Sequence, residues 1–175
     1  MRLQLFLLVL LGAALRLPAL AQSSAPAPTD SLTVTGVRRV YSDNSDWALT
    51  TSKGPGNLHR VYSDDSQWRL TLPGHTYTIR RTYSDNFNWS ISEAGHSVSF
   101  KTVYSQDVSQ WSVGGYQLKA TYRDHFNEWT GAGLRFRCIY SDCTSWSITD
   151  PQPALDPAVK GAMVFLTLFE GSMKR

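Results

Sequence analysis

Hydrophobic and polar residues alternate in short runs along most of this chain, and the runs recur in register. Six copies of one motif begin at Tyr41, Tyr62, Tyr83, Tyr104, Tyr122 and Tyr140, spaced by 21, 21, 21, 18 and 18 residues. They close on Trp47, Trp68, Trp89, Trp111, Trp129 and Trp146, which are all the tryptophans in the chain. Four residues before each tyrosine stands an apolar residue: Val37, Leu58, Ile79, Phe100, Leu118 or Phe136. Three before it stands a base or histidine: Arg38, His59, Arg80, Lys101, Lys119 or Arg137. Two after each tryptophan come Leu49, Leu70, Ile91, Val113, Gly131 and Ile148. A fixed internal period marks a repeat architecture, and alternation with period two marks half-buried strands. Each repeat therefore reads as strand, Asp turn, strand, Gly turn. Period two puts the tyrosine on the same inward face as the apolar residue four before it, so all twelve tyrosines and tryptophans of the motif are expected in the core.

Twelve short strands make the chain all-β, a six-repeat array of β-hairpins. A parallel solenoid would stack equivalent side chains about 4.8 Å apart, piling Arg38, Arg80, Lys101 and Arg137 into a like-charge ladder. Successive hairpins double that distance and weaken the repulsion. The expected architecture is thus a hairpin array curled or closed into a barrel or ring that hides its edges. The repeats occupy 32–149. Residues 150–175 form a capping segment that is either helix or strand. Asp156-Pro157 resembles an N-cap with proline at the first helical position, and Gly171 could close the helix; the run from Met163 to Phe169 would also suit a buried strand. Either form is too apolar to be left uncovered and should cover or close the array.

The start of the chain follows a different logic. Arg2, an apolar run over 3–15 and Ala19-Leu20-Ala21 have the pattern of a cleavable secretory signal peptide over 1–21. The run is short for a membrane span. Residues 22–31 are a Pro/Ala/Ser-rich linker. Localisation is accordingly expected to be secreted or periplasmic, with no membrane span in the mature chain. Removing the signal lowers 17 bases against 14 acids to 15 against 14, since Arg2 and Arg16 leave and no acid does. So small a net charge is no signature of a nucleic-acid partner.

The cores Asp65-Ser66-Gln67-Trp68 and Val108-Ser109-Gln110-Trp111 resemble the short β repeats of the septoil-knot family of uncharacterised bacterial proteins. The resemblance covers about a third of the chain. It implies a compact β fold of the kind that can be entangled, and no known activity.

No residue pattern names a ligand. Asp43, Asp64, Asp85, Asp124 and Asp142 could supply a carboxylate pair to a hydrolase. Catalysis, however, needs unlike environments, and the same aspartate copied in repeat after repeat reads as a turn cap. The histidines lack metal-ligand spacing, and no cofactor or metal motif is present. The favoured reading is a secreted, non-catalytic module that binds a glycan or protein at the cell surface, with a purely structural scaffold as the alternative. Residues that vary between copies are candidates for an exposed ligand site: His75, Tyr77, Phe87, His96, Tyr116 and Phe126. Cys138 and Cys143, the only cysteines, stand where the first three repeats have Arg39 and Asn44, Arg60 and Asp65, and Arg81 and Asn86. A donor facing an acceptor becomes a pair of thiols in one joint change. The two positions are therefore expected to touch in each of these repeats, through a hydrogen bond in the early copies and a disulfide in the last.

Overall fold

A computed structural model describes residues 31–173. The signal peptide over 1–21 and the linker up to residue 30 lie outside the described residues. Twelve antiparallel strands follow one another: β1 (Val34–Arg39), β2 (Asp46–Thr51), β3 (Gly54–Arg60), β4 (Gln67–Leu72), β5 (His75–Arg81), β6 (Asn88–Glu93), β7 (His96–Thr102), β8 (Gln110–Val113), β9 (Tyr116–Tyr122), β10 (His125–Gly131), β11 (Leu134–Cys138) and β12 (Ser145–Thr149). Each pairs with its neighbours in sequence, and β1 also pairs with β12, closing the barrel. Closure leaves no edge strand exposed.

The register explains why the repeat has the composition it has. Each tryptophan lies opposite the apolar residue that opens the next repeat: Trp47 opposite Leu58, Trp68 opposite Ile79, Trp89 opposite Phe100, Trp111 opposite Leu118 and Trp129 opposite Phe136. The last tryptophan, Trp146, faces Val37 of the first repeat and completes the ring. On its other side each of those apolar residues faces the residue two beyond its own repeat's tryptophan, as Leu58 faces Leu70 and Phe136 faces Ile148. All these tryptophans and opening apolar residues are buried. The outward rows are mainly Ser, Thr, Gln, Asn, Lys and Arg, which is the reverse of the lipid-facing apolar band of a membrane barrel.

One expectation fails. Tyr41, Tyr62, Tyr83, Tyr104, Tyr122 and Tyr140 are 56–64 % exposed and form no part of the core. Alternation with period two holds only while the chain remains in the sheet. In five repeats the strand ladder stops one residue before the tyrosine, where Val40, Val61, Thr82, Val103 and Ile139 donate to the far strand; in the fifth, Tyr122 is the last residue of β9 and pairs with His125. The inward position two before it is already occupied by Arg39, Arg60 or Arg81 at the barrel mouth, and the tyrosine itself begins the turn.

The capping segment is a helix, α1 (Pro157–Leu168), extended by a π-helical turn over Phe169–Met173. Asp156 caps it, Oδ1 accepting from Ala158 N–H at 2.8 Å, and Pro157 needs no amide partner at that position. Gly171 does not end it but lies buried in the π-helical turn. Every residue from Ala158 to Ser172 is buried, and a helix buried on all faces has no solvent side. It fills the lumen of the barrel. Phe165 packs on Trp68 of β4, Trp89 of β6 and Phe100 of β7, with ring centroids 5.9, 4.9 and 6.1 Å apart. Further along, Trp146 of β12 and the Phe126 carbonyl of β10 close on Gly171, where a Cβ would come within 2.7 Å of each. At Gly161 a Cβ would collide with Leu70.

A buried ion pair fixes the helix to the seam of the barrel. Lys160 Nζ and the Asp150 carboxylate are both fully buried, 2.7 Å apart. Lys160 also donates to the Leu32 carbonyl, and Asp150 Oδ2 accepts from Val34 N–H at 3.0 Å. The entry to β1, the exit from β12 and the helix thus meet at one point. Removing one partner leaves an uncompensated buried charge, which costs about 3–5 kcal/mol.

Phe100→Ala and Phe165→Ala are each expected to cost about 3–5 kcal/mol in chemical unfolding. Lys101→Ala, on the outward row beside Phe100, should cost under about 0.5 kcal/mol. Similar losses at Phe100 and Lys101 would contradict the assignment of faces.

Candidate functional site

The two ends of the barrel differ in chemistry. One mouth is built from the glycine turns that follow β2, β4, β6, β8 and β10, and α1 enters there. At the other mouth lie the Tyr-Ser-Asp turns. Asn44, Asp65 and Cys143 N–H donate to the carbonyls of Tyr41, Tyr62 and Tyr140 at 3.4, 3.2 and 2.9 Å, so the tyrosine is the first residue of a tight turn. All three donors have positive φ, at 59°, 59° and 53°. Each buried tryptophan then donates its indole N–H to the carbonyl three residues earlier: Asn44, Asp65, Asn86, Val108, Phe126 and Cys143, at 2.9–3.2 Å. This satisfies the one polar atom of each core tryptophan and ties the turn to the core.

The Arg–Asx pairs read from the sequence are present. Arg39 donates to Asn44 Oδ1 at 3.1 Å, Arg60 to Asp65 Oδ1 at 3.2 Å and Arg81 to Asn86 Oδ1 at 3.0 Å. In the sixth repeat Cys138 and Cys143 are disulfide-bonded with Cα atoms 5.0 Å apart. A covalent link thus occupies the site of the hydrogen bond.

The aspartates close the turns. Asp43, Asp64, Asp85, Asp107 and Asp142 accept, through Oδ1, from the backbone N–H two residues on, at 2.9–3.2 Å. Asp107 was not legible as a cap, because the fourth turn is one residue longer. Asp124 was expected in this role, but β10 resumes pairing at His125, opposite Tyr122, which leaves too short a turn. The Ser45 hydroxyl and then its N–H hold the Asp43 carboxyl below its ordinary value, as Ser66 does for Asp64 and Ser109 for Asp107. For Asp142 the N–H of Thr144 leads and its hydroxyl follows. Arginines of neighbouring repeats lower these carboxyls further, though less: Arg60 lies 3.4 Å from Asp43, Arg81 3.6 Å from Asp64 and Arg123 3.5 Å from Asp107. Arg39 acts likewise on Asp142 across the closure.

Around this polar lattice stand the six tyrosines. Of the ten large hydrophobic side chains exposed among the described residues, nine belong to this rim: the six tyrosines with Val40, Val103 and Ile139. Serines follow five of the tyrosines, so flat apolar faces alternate with hydroxyls. Between the fourth and fifth repeats the rim opens into a cleft of about 460 Å³ lined by Tyr104, Ser105, Asp107, Gln110, Lys119 and Arg123, among others. A smaller cleft holds Tyr140, Ser141, His125 and Asn127.

The residues singled out as exposed ligand contacts are scattered. Tyr77 is only 2 % exposed, inward-facing on β5 opposite Leu70, because it lies an even count from Ile79. Phe126 is half-buried, stacked on Trp129 at 5.5 Å. Phe87 is half-buried in the third Asp turn. His75, His96 and Tyr116 belong to the opposite mouth. There His75 Nδ1 meets Glu93 at 2.8 Å and His96 Nε2 meets Asp156 at 2.9 Å. The tyrosine rim was missed, although one signal was present: an arginine at an inward position two residues before the tyrosine marks where the apolar interior ends.

No helix among the described residues is long and apolar enough to cross a membrane, and no group of three or more His, Cys, Asp or Glu among them has metal-binding geometry. Comparison with protein-family models, with curated proteins and with solved structures found no match.

The four depressed turn aspartates make stability depend on pH in one direction. Their ordinary value is 3.8. The ionised caps contribute fully above that value, and the contribution is lost as pH falls through the lower folded-state values. The unfolding midpoint should therefore be insensitive to these groups from neutrality to about pH 4 and fall below it. Combined replacement of Ser45, Ser66 and Ser109 by Ala should lessen the fall. A transition near neutrality that these substitutions remove would contradict this account.

Proposed function

We propose that the protein is an exported, non-catalytic binding module that takes a glycan on its tyrosine rim. The observation that carries the reading is the gathering of nine of ten exposed large hydrophobic side chains at one mouth of the barrel. Residues at that mouth do not need tyrosine for stability, since the core stops short of them. Tyrosine offers a flat apolar face with a polar handle, suited to the C–H face of a pyranose. The adjoining Ser, Asp, Gln and Arg side chains offer partners for its hydroxyls. A protein partner would favour a contiguous apolar centre, whereas a serine follows five of the six tyrosines in the sequence.

Export is supported by the signal-peptide pattern of 1–21 and by the disulfide, a bond that persists in oxidising compartments. The non-catalytic reading is supported by the aspartates, which are engaged as turn caps in five equivalent environments rather than paired in one unlike environment.

Glycan-array binding by the protein tests this directly. Tyr83→Ala with Tyr104→Ala should weaken the strongest hit by about tenfold or more. Tyr116→Ala, at the opposite mouth, should leave it unchanged. Absence of any glycan hit would favour the scaffold alternative and remove the proposal.

A further inference from the structure

The outer wall adjoining the rim is not neutral. On β4 to β9 the outward residues include Arg69, Arg80, Lys101 and Lys119, all exposed, and no carboxylate. The remaining outward residues of these six strands are Ser, Thr, Asn and Gln. Arg80 Nε donates to Gln67 Oε1 at 3.0 Å, which orients the guanidinium along the wall without neutralising it. Nearby acids are engaged elsewhere: Glu93 with His75 and the Thr76 N–H, and Asp107 with Ser109 and Arg123. Arg80, Lys101 and Lys119 occupy the same repeat position on alternate strands. Two strand spacings separate them, about 10 Å. Lys119 and Gln110 also line the cleft that holds Tyr104, so the basic row runs into the rim.

We propose that this wall binds an acidic polysaccharide, one carrying a carboxylate on every second sugar, whose chain crosses β5, β7 and β9 and enters the rim at Tyr104. The proposal rests on the reading of the rim as a glycan site and adds the charge of the ligand. A sparse row of bases matches a charge repeated once per disaccharide. It matches poorly the charge of duplex nucleic acid, about one per 1.7 Å. A flat anionic bilayer would touch a cylindrical wall along one line and could reach few of these bases at once. The surrounding hydroxyls and amides suit a polymer rich in hydroxyl groups.

The test is affinity electrophoresis of the protein against hyaluronan, carboxyl-reduced hyaluronan, a single-stranded oligonucleotide and phosphatidylserine vesicles. Hyaluronan should bind in a salt-sensitive manner, and the carboxyl-reduced polymer about tenfold more weakly. R80Q/K101Q/K119Q should lose about tenfold in affinity for hyaluronan while keeping its unfolding midpoint, since all three side chains are exposed. Equal binding of both polymers, sensitive to the Tyr83 and Tyr104 substitutions but not to the triple substitution, would overturn this inference and leave the rim as a glycan site. Binding of neither polymer would overturn the inference; with an empty glycan array it would remove the rim proposal as well. Tighter binding of the oligonucleotide or the vesicles, lost in the triple variant, would also overturn it.

Discussion

A closed barrel of twelve strands has a lumen that its own inward side chains cannot fill, and the rest of this structure depends on how that space is occupied. About eight strands is the size at which inward side chains alone meet across the axis. Here every repeat supplies a tryptophan to the inward rows, and the remaining volume is taken by α1. The helix has no polar face because it meets wall in every direction. Lys160, buried in the middle of this apolar segment, is answered by Asp150 and by the Leu32 carbonyl at the seam where the first and last strands join. The plug and the closure of the barrel are therefore one structural event.

The repeat is the unit of this solution. Each tryptophan is buried against the opening residue of the next copy and spends its indole N–H on its own turn. No repeat completes its core alone; the sixth is completed by the first. The same interdependence appears at the mouth, where Arg–Asx contacts lie within repeats and Arg–Asp contacts lie between them. The tyrosine side chains and the outward bases lie outside both the inward rows and the turn lattice. That position is the physical basis for proposing that they bind.

Much of this was legible in the sequence. Internal comparison of the copies reveals the inward rows without any other protein, and the joint change of Arg and Asx to two cysteines identifies a contact between positions 138 and 143. Asp156-Pro157 marks the helix start by ordinary capping chemistry. The tyrosines were not legible by period alone, because alternation holds only while the chain remains in the sheet. Tyr77 and Phe126 were misplaced for a related reason: variability between copies does not imply exposure when the residue falls on an inward count or against a tryptophan. The seat of the helix was hidden as well. An apolar segment after a β array can cover an edge or fill a lumen, and only closure of twelve strands, which leaves no edge, decides between them.

The claim that α1 is the core of the barrel, and not a cover on its outside, is tested most directly by proton contacts in solution. The Phe165 ring should show nuclear Overhauser contacts to the indoles of both Trp68 and Trp89, residues of different strands on the inner wall, and to the ring of Phe100. A Phe165 ring without contact to these residues, with rapidly exchanging amides over 160–168, would contradict the account.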